Sequence, residues 1–204
     1  MTRNFVYLAS GSPRRRQLLS QIGVSFQMLR VAVDESVAPG EAAREYVVRL
    51  AEAKASAGLD EAPPGAPAAV LGADTAVVVD GTILGKPSGG EDAERMLRLL
   101  SGRTHAVLTA VALATRGGLS SRVSSSEVTF REISAAEARE YWLSGEPRDK
   151  AGGYAIQGYG AVFVAELKGS YSGVMGLPLF ETAGLLRAAG LAQRFEPGMA
   201  HDEH

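Results

Sequence analysis

Two segments in the middle of the chain, residues 105–115 and 119–133, most constrain what this sequence can fold into. We interpret them as a pair of long strands joined at Gly117-Gly118. On either side of this pair, shorter strands alternate with helices. An all-parallel sheet has no place for such a hairpin, whereas a mixed sheet contains both hairpins and strand–helix–strand units. The sequence therefore predicts an α/β fold with a mixed, twisted central sheet and flanking helices.

The shorter elements are bounded by local signals. Asp80-Gly81 predicts a tight hairpin, and Ser134 with Glu137 predicts a capping box at a helix start. Glycine and proline in residues 58–67 indicate a surface loop. The pattern predicts strands at 5–9, 25–31, 68–79, 82–84 and 161–167, and helices from 13 to just before 23 and at 41–57, 91–100, 134–143 and 179–189.

Composition excludes several classes of protein. The 204 residues carry a formal net charge of −2, whereas a general binder of DNA or RNA phosphates would be clearly basic. We therefore expect no stable nucleic-acid partner. The sequence contains no cysteine, which excludes disulfides and cysteine metal sites.

The location and domain organisation can also be predicted. The first residues lack the features of a signal peptide, and no apolar run approaches the roughly 20 residues of a membrane-spanning helix. We expect a cytoplasmic protein without a membrane partner. It should form a single domain over residues 1–194, followed by a flexible tail over 195–204.

Residues 10–16, Ser-Gly-Ser-Pro-Arg-Arg-Arg, lie where a strand is predicted to lead into a helix. Ser12 then serves as the cap and Pro13 as the first helical residue. Free backbone N–H groups and the helix dipole favour an anion there, and arginines can hold a phosphate with two hydrogen bonds. An ordinary capped helix with solvated arginines fits this stretch equally well.

Two charged residues interrupt apolar patterns. On a helical wheel Lys54 lies in the apolar stripe of its predicted helix, which indicates a lysine reaching into a polar cleft, or else one extending to water. Asp74 lies inside a nearly continuous apolar strand, and a buried carboxylate is costly unless it is paired or bound to metal. The alternative is a bulge or turn in which Asp74 accepts backbone N–H groups.

Further candidates lie outside these elements. Asp34 or Glu35 can supply a second carboxylate, and carboxylates without cysteine or clustered histidine suit Mg²⁺ or Mn²⁺. Lys86, at the end of a return strand, can face Asp74 or remain in solvent. The long glycine-rich stretch 149–160 favours a binding loop, in which the Gln157 amide can read a base edge.

Together these residues provide cations for phosphates and carboxylates for a divalent ion, as attack on a polyphosphate requires. No Ser-His-Asp set or HExxH helix is evident, and we interpret His105 as structural. The chain contains, in this order, LASGSPRR at 8–15, VDE at 33–35, EAKA at 52–55, LGADT at 71–75, LGKP at 84–87, LSGRTH at 100–105, DKAGGYAIQG at 149–158 and GLPL at 176–179. With these motifs the chain resembles the Maf family of nucleoside triphosphate pyrophosphatases. The resemblance covers the chain from Tyr7 to about Leu186.

The resemblance implies hydrolysis between the α and β phosphates, and is closest to the branch acting on dTTP and UTP. It assigns Arg14, Thr75 and Gln157 to pyrimidine choice. It also implies a fold similar to that of inosine triphosphate pyrophosphatases, with two lobes around a cleft, a homodimer and dependence on Mg²⁺ or Mn²⁺. The sequence differs from the usual family pattern at residues 153–155 and 171–175.

The same resemblance assigns roles to the charged residues. Asp74 would orient or deprotonate the attacking water as the proton acceptor, and Glu35 with Asp74 would hold the metal. The negative charge of the phosphates would be neutralised by Arg15, Lys54 and Lys86. The phosphates would also be bound by Ser10 and Ser12.

Two other functions fit less well. A nucleotide- or nucleic-acid-binding regulator of cell division and septum formation would have no need of both carboxylates. An enzyme that removes deaminated purine nucleotides would prefer ITP or XTP.

Overall fold

The computed structural model describes residues 5–63 and 69–191. Its strands are β1 (Phe5–Ala9), β2 (Ser25–Leu29), β3 (Ala69–Val79), β4 (Thr82–Leu84), β5 (Thr104–Thr115), β6 (Gly118–Phe130) and β7 (Val164–Lys168). Its α-helices are α1 (Pro13–Gln21), α2 (Ala43–Glu61), α3 (Gly90–Leu100), α4 (Ala135–Leu143), α5 (Tyr171–Met175) and α6 (Leu179–Ala188). Short 3-10 turns occupy Glu146–Asp149, Ala151–Gly153 and Tyr159–Phe163.

The strands form one mixed sheet in the order β2-β1-β3-β5-β6-β7, with β4 added beside β3. β1 is parallel to both β2 and β3, whereas β3, β5, β6 and β7 are antiparallel neighbours. The predicted hairpin is the β5–β6 pair, which is continuous from Thr104 opposite Thr129 to Thr115 opposite Gly118. The mixed α/β fold predicted from the sequence is therefore confirmed.

The edge of β3 that faces β1 and β4 contains a gap. β1 pairs with β3 only at residues 70–71, and β4 pairs with it only at 77–79. Within the described ranges, residues 72–76 have no partner strand on that side. Because β1 ends at Ala9 and leads into α1, the amino end of that helix reaches the same gap. Openings where neighbouring strands diverge are common ligand sites in α/β sheets.

The two faces of the sheet have different coverings. α2 covers one face, where Val47, Ala51 and Ala55 pack against small residues of β3 and β5. The opposite face forms the larger core with α1, α3, α4 and α6. Since side chains alternate along a strand, Asp74 faces the α2 side and Thr75 faces the opposite side.

Helix α2 is longer than the sequence predicts, and residues 58–61 of the predicted loop are helical. The reason is packing at Gly58, where a Cβ would lie 2.7 Å from Val70 Cγ1 and 3.1 Å from Ala9 Cβ. This close contact with the sheet outweighs the low helix propensity of glycine. Residues 64–67 of the predicted loop lie outside the described residues, as do the end of the predicted domain, 192–194, and the tail 195–204.

Other element boundaries also differ. β2 ends at Leu29 and β6 at Phe130, and residues 161–163 form part of a 3-10 turn before β7. The sequence pattern does not predict α5, a single turn whose cap Ser170 accepts a hydrogen bond from Gly173 N–H. In residues 5–63 and 69–191, no helix combines the length and apolar character needed to cross a membrane.

Candidate active site

A cleft of about 840 Å³ opens at the gap in the β3 edge. Its floor includes Asp74 and Thr75, and its rim includes the start of α1 and the segment between α4 and β7. The structure brings every residue predicted for the site from the sequence to this cleft. Those lining it are Ser10, Ser12, Arg14, Arg15, Glu35, Lys54, Asp74, Thr75, Lys86 and Gln157.

Lys54 joins the two predicted carboxylates. Its Nζ lies 2.7 Å from Asp74 Oδ1 and 2.6 Å from Glu35 Oε1. Lys54 and Asp74 are both buried, each 8% exposed. Lys54 therefore lies in a polar cleft, as the first of the two interpretations predicts, and does not extend to water. Lys86 Nζ is 3.5 Å from Glu35 Oε2 and remains mostly exposed. We call these four residues the carboxylate–lysine cluster.

Close packing of α2 on β3 places Lys54 beside Asp74. At Gly72, a Cβ would lie 2.6 Å from Ala55 N and would also collide with the carbonyl oxygen of Ala51. Only glycine therefore lets the helix backbone rest on the strand at this point. β3 continues through Asp74 in regular register opposite Ala110, so the predicted alternative of a bulge or turn at Asp74 is wrong.

The charges of the cluster stabilise one another. Burial alone would raise the pKa of Glu35, but hydrogen bonding and the charges of Lys54 and Lys86 lower it below its usual value. Glu35 is therefore ionised at neutral pH. Asp74 Oδ2 has no hydrogen-bond partner among the residues that the structure describes, which leaves this oxygen available as an acceptor for a proton from water.

Arg15 spans the gap between the start of α1 and the end of α5. It donates from Nε to Gly176 O at 2.7 Å, from Nη1 to Ser10 Oγ at 3.1 Å and from Nη2 to Thr75 Oγ1 at 3.4 Å. Burial lowers the pKa of Arg15 while the charge of Asp74 raises it, and a guanidinium remains charged in either case. The arginine is thus held in place beside the cluster.

The neighbouring arginine takes a different direction. Arg14 Nε donates to Met175 O at 3.3 Å. Burial lowers the pKa of Arg14, although the charges of Asp149 and Glu146 act in the opposite direction. Arg14 therefore lies towards the segment that contains Gln157, whereas Arg15 lies towards Asp74. Arg16 is exposed.

The amino end of α1 has the features of an anion site. Ser12 is the N-cap and Pro13 the first helical residue, as predicted, but within the described chain the Ser12 hydroxyl makes no capping hydrogen bond. Instead, Ser12 N–H donates to Ser10 Oγ at 3.2 Å. The Ser12 hydroxyl and the early N–H groups of the helix can therefore meet a ligand in the cleft.

Thr109 supports Thr75 from the next strand. The two residues are opposite each other in register, and their hydroxyl oxygens lie 3.0 Å apart. Thr109 Oγ1 also donates a hydrogen bond to Gly173 O at 2.7 Å. Thr109 is fully buried, so it links the floor of the cleft to α5. The sequence does not single out this residue, because a threonine in a strand carries no local sign of a functional role.

The sequence does not single out Tyr46 either. Its hydroxyl donates to Glu35 O at 3.0 Å and so holds the segment that carries the carboxylate. Burial, followed by the charges of Asp74 and Glu35, raises the pKa of Tyr46 to about 12. A tyrosine beside the apolar stripe of α2 is ordinary in sequence, and only its position over Glu35 distinguishes it.

Residues 146–163, which we call the glycine-rich loop, form the other wall of the cleft. They consist mainly of 3-10 turns and irregular backbone. Gly152, with φ of 68°, packs against Val77 of β3. Gln157 is exposed at the cleft, as expected for a residue that contacts a ligand.

His105 lies outside the cleft lining. It is buried, and its Nε2 lies 2.8 Å from Tyr154 Oη. Burial lowers the pKa of His105 to about 4, so the ring is neutral at physiological pH. These observations agree with the structural role predicted from the sequence.

The donor set fits a magnesium-type ion only in combination with a ligand. In residues 5–63 and 69–191 no group of three or more histidine, aspartate or glutamate side chains could hold a metal. However, Glu35 and Asp74 converge on one ammonium nitrogen. Mg²⁺ is commonly held by one or two carboxylates, with substrate phosphates and water as its other ligands. Two converging carboxylates beside a phosphate site meet that requirement.

Comparisons with known proteins identify relatives of this chain. A relative from Saccharophagus degradans is 58% identical over 90% of this chain and 88% of its own. Relatives from Methylococcus capsulatus and Alkalilimnicola ehrlichii are 56% and 54% identical over 90% of this chain and 90% and 92% of theirs. All three are named dTTP/UTP pyrophosphatase.

Two solved structures are also similar. A nucleoside-triphosphatase (dITP/XTP pyrophosphatase) from Mycobacterium abscessus has a TM-score of 0.40 and 21% identity over 61% of this chain and 73% of its own. The Staphylococcus aureus Ham1 protein has a TM-score of 0.42 and 16% identity over 64% and 72%. A family model described as Maf-like protein matches residues 5–189. The chain belongs to the Maf family.

Proposed function

We propose that this protein is a nucleoside triphosphate pyrophosphatase that hydrolyses dTTP and UTP to the monophosphate and pyrophosphate. The observation that carries the proposal is the contact of one buried ammonium, Lys54, with both Asp74 and Glu35 at the floor of the cleft. The family membership and the names of relatives more than 50% identical support it.

The phosphates would lie between the start of α1 and the carboxylate–lysine cluster. Arg15, Lys54 and Lys86 line that part of the cleft and would neutralise the negative charge of the phosphates. Hydroxyl and N–H groups at Ser10 and Ser12 would donate to phosphate oxygens. Donors fixed before the substrate arrives stabilise charge that develops in the transition state.

Asp74 would receive the proton of the attacking water. Oδ1 accepts a hydrogen bond from Lys54 at 2.7 Å, and Oδ2 remains to orient the water or take its proton. The water oxygen forms a new bond to the α or the β phosphorus, and the bond from that same phosphorus to the bridging oxygen breaks. The bridging oxygen leaves with the other phosphate group. The products are a nucleoside monophosphate and pyrophosphate.

A divalent ion, Mg²⁺ or Mn²⁺, would be held by Glu35 and Asp74. When bound, it supplies positive charge for the phosphate oxygens. Lys54 holds the two carboxylates together, which limits their mutual repulsion in the absence of the ion.

Base choice would depend on three other residues of the cleft lining. Arg14, Thr75 and Gln157 line the cleft, and the Gln157 amide can both donate to and accept from a pyrimidine edge. The names of the relatives support a preference for thymine and uracil. The homodimer and the cytoplasmic location expected from the sequence remain predictions, the first of which light scattering can test.

A nucleotide panel tests the proposal. UTP, dTTP, CTP, ATP, GTP, ITP and XTP are each incubated with the protein and Mg²⁺ or Mn²⁺, and monophosphate, pyrophosphate and orthophosphate are measured together. We expect equimolar monophosphate and pyrophosphate, fastest from UTP and dTTP. Preference for ITP or XTP, release of orthophosphate as the main product, or no turnover by folded protein would contradict the proposal.

A further inference from the structure

A carboxylate outside the carboxylate–lysine cluster is enclosed by the part of the glycine-rich loop that carries Gln157. Glu146 Oε1 accepts hydrogen bonds from Tyr141 Oη at 2.6 Å and from Gly160 N–H at 3.0 Å. Glu146 Oε2 accepts from Tyr159 N–H at 2.9 Å. Two consecutive backbone N–H groups thus converge on one carboxylate, an arrangement that binds anions.

The loop leaves room for this carboxylate only because residue 158 is glycine. A Cβ at Gly158 would overlap the carboxylate of Glu146. A second close contact occurs at Gly160, where a Cβ would lie 2.6 Å from Tyr141 Oη and 2.8 Å from Ala155 O. The turn from Ala155 to Gly160 is therefore wrapped closely around the Glu146 and Tyr141 side chains.

Tyr141 connects the carboxylate to the other end of the turn. Its hydroxyl donates to Glu146 and accepts from Ala155 N–H at 3.0 Å. Burial, and then the hydrogen bond to Glu146, raise the pKa of Tyr141, so the hydroxyl keeps its proton and remains a donor. Backbone groups on both sides of Gln157 are thus tied to one pair of side chains from α4 and the turn after it.

We propose that Glu146, through Tyr141 and the backbone of residues 155–160, is a positioning residue that sets base selectivity by fixing Gln157. The proposal rests on the proposed function, because Gln157 acts there on the base. An amide side chain presents a donor and an acceptor that exchange places when it rotates. Selection of one base edge therefore needs a fixed backbone beneath the amide.

The pair UTP and CTP tests such selection most directly. Uracil presents an N–H donor at position 3 and an oxygen at position 4, whereas cytosine presents an acceptor and an amino group there. A fixed amide matches one of these patterns, while a mobile amide matches either. A loosened loop should therefore reduce discrimination between the two bases without affecting the carboxylate–lysine cluster.

The test compares Glu146→Gln and Tyr141→Phe with the wild type, with Glu140→Gln as the matched control on exposed Glu140 of α4. All partners of Glu146 donate hydrogen bonds, so the amide of Glu146→Gln directs its NH₂ at one of them. We expect the ratio of kcat/KM for UTP over CTP to fall about tenfold, the worth of one hydrogen-bonded base contact. KM for UTP should rise, and kcat should stay within about threefold of wild type.

Hydrogen exchange provides the second readout. Amides of the peptide containing residues 155–160 should exchange at least ~10-fold faster in Glu146→Gln and in Tyr141→Phe, and at the wild-type rate in Glu140→Gln. A general loss of folded protein would lower turnover of UTP and CTP equally and leave their ratio unchanged. Equal losses, an unchanged ratio despite faster exchange, or unchanged exchange would each overturn the proposal.

Failure of the proposed function would look different. If the wild type hydrolyses neither nucleotide, the pyrophosphatase assignment fails while the loop can still be examined. Dissociation constants for UTP and CTP, measured with EDTA present, then replace kcat/KM. A wild-type preference that falls in Glu146→Gln supports the positioning role, and an equal affinity for the two nucleotides in the wild type overturns it.

Discussion

The carboxylate–lysine cluster and the glycine-rich loop line the same cleft but are built differently. In the cluster, Lys54 and Asp74 stand on a long helix and a central strand that touch at Gly72. In the loop, Gln157 stands on irregular backbone that wraps around Glu146. Rigid elements hold reacting groups to a small tolerance, whereas a loop can change its recognition surface with little effect on the fold.

The difference suggests a division of labour. The cluster should determine how fast the phosphate bond breaks, and the loop should determine which base is accepted. Four substitutions separate these effects, from the largest expected loss to the smallest.

Asp74→Asn should lower kcat by about 10²–10⁴-fold, since the amide cannot take the proton of water. The fold should persist, because Asn has nearly the same shape and can still accept from Lys54. Steady-state assays with UTP, together with circular dichroism, measure both. The matched control is Asp60→Asn on α2, where Asp60 is exposed, and it should behave as wild type. A kcat for Asp74→Asn close to that of the control would contradict the assignment.

Lys54→Met should lower kcat/KM by about 10²-fold and also destabilise the fold. Removal of the buried ammonium leaves Asp74 and Glu35 facing each other without their shared partner, and breaking a buried pair costs up to about 3–5 kcal/mol. Urea denaturation of Lys54→Met, Asp74→Asn and the double variant measures the coupling. The double variant should lose less unfolding free energy than the sum of the losses in the two single variants. Additive losses would show that the pair contributes nothing to stability.

Gly158→Ala adds one methyl group to the glycine-rich loop, where it would overlap the Glu146 carboxylate. We expect the preference for UTP over CTP to fall about tenfold, with kcat reduced less than threefold. Gly89→Ala is a suitable control, because no neighbouring atom lies within 4 Å of a Cβ at Gly89 and this residue lies outside the cleft lining. A large loss of kcat with unchanged preference would show that the loop takes part in chemistry instead.

Glu41→Gln should have the smallest effect, a two- to threefold rise in KM. Glu41 accepts from Arg49 Nε at 2.6 Å and Nη2 at 2.7 Å, and Arg49 also donates to Ser36 O in the segment that carries Glu35. The hydrogen bond from Arg49, followed by that from Ala38 N–H, lowers the pKa of Glu41 from 4.5 to about 2. The pair therefore anchors the most irregular part of the cluster.

The sign of the pH effect follows from that pKa. A carboxylate whose pKa is lower in the folded state adds stability above its unfolded pKa and loses it as the pH falls. The difference in Tm between wild type and Glu41→Gln should be present at pH 6 and should shrink between pH 4.5 and pH 2. A difference that does not change over this interval would show that Glu41 acts by shape alone.

The two regions also differ in how far their sequence predicts them. Lys54 and Asp74 are predictable because each charge interrupts an apolar pattern whose period is known. The proposed anion site at Ser10–Arg15 is predictable because a strand leading into a capped helix is a local signal. In both cases the information lies within a few residues of the functional group.

The long-range contacts that support the site lack such signals. Thr109 meets Thr75 across 34 positions of the chain, and Arg14 and Arg15 each find their carbonyl acceptors 161 positions away. Glu146 looks like any acidic residue before a proline until the loop is seen around it. The same non-local packing explains why α2 continues through Gly58 into a segment that composition alone indicates to be a loop.

The most direct test of this division of labour measures Asp74→Asn and Gly158→Ala side by side, with kcat and the UTP:CTP ratio of kcat/KM determined in one assay. In Asp74→Asn we expect a fall in kcat of at least ~10²-fold with the ratio preserved. In Gly158→Ala we expect a ratio reduced about tenfold with kcat nearly preserved. If both variants lose kcat to the same extent and keep the ratio, chemistry and base choice are not separated between the two regions.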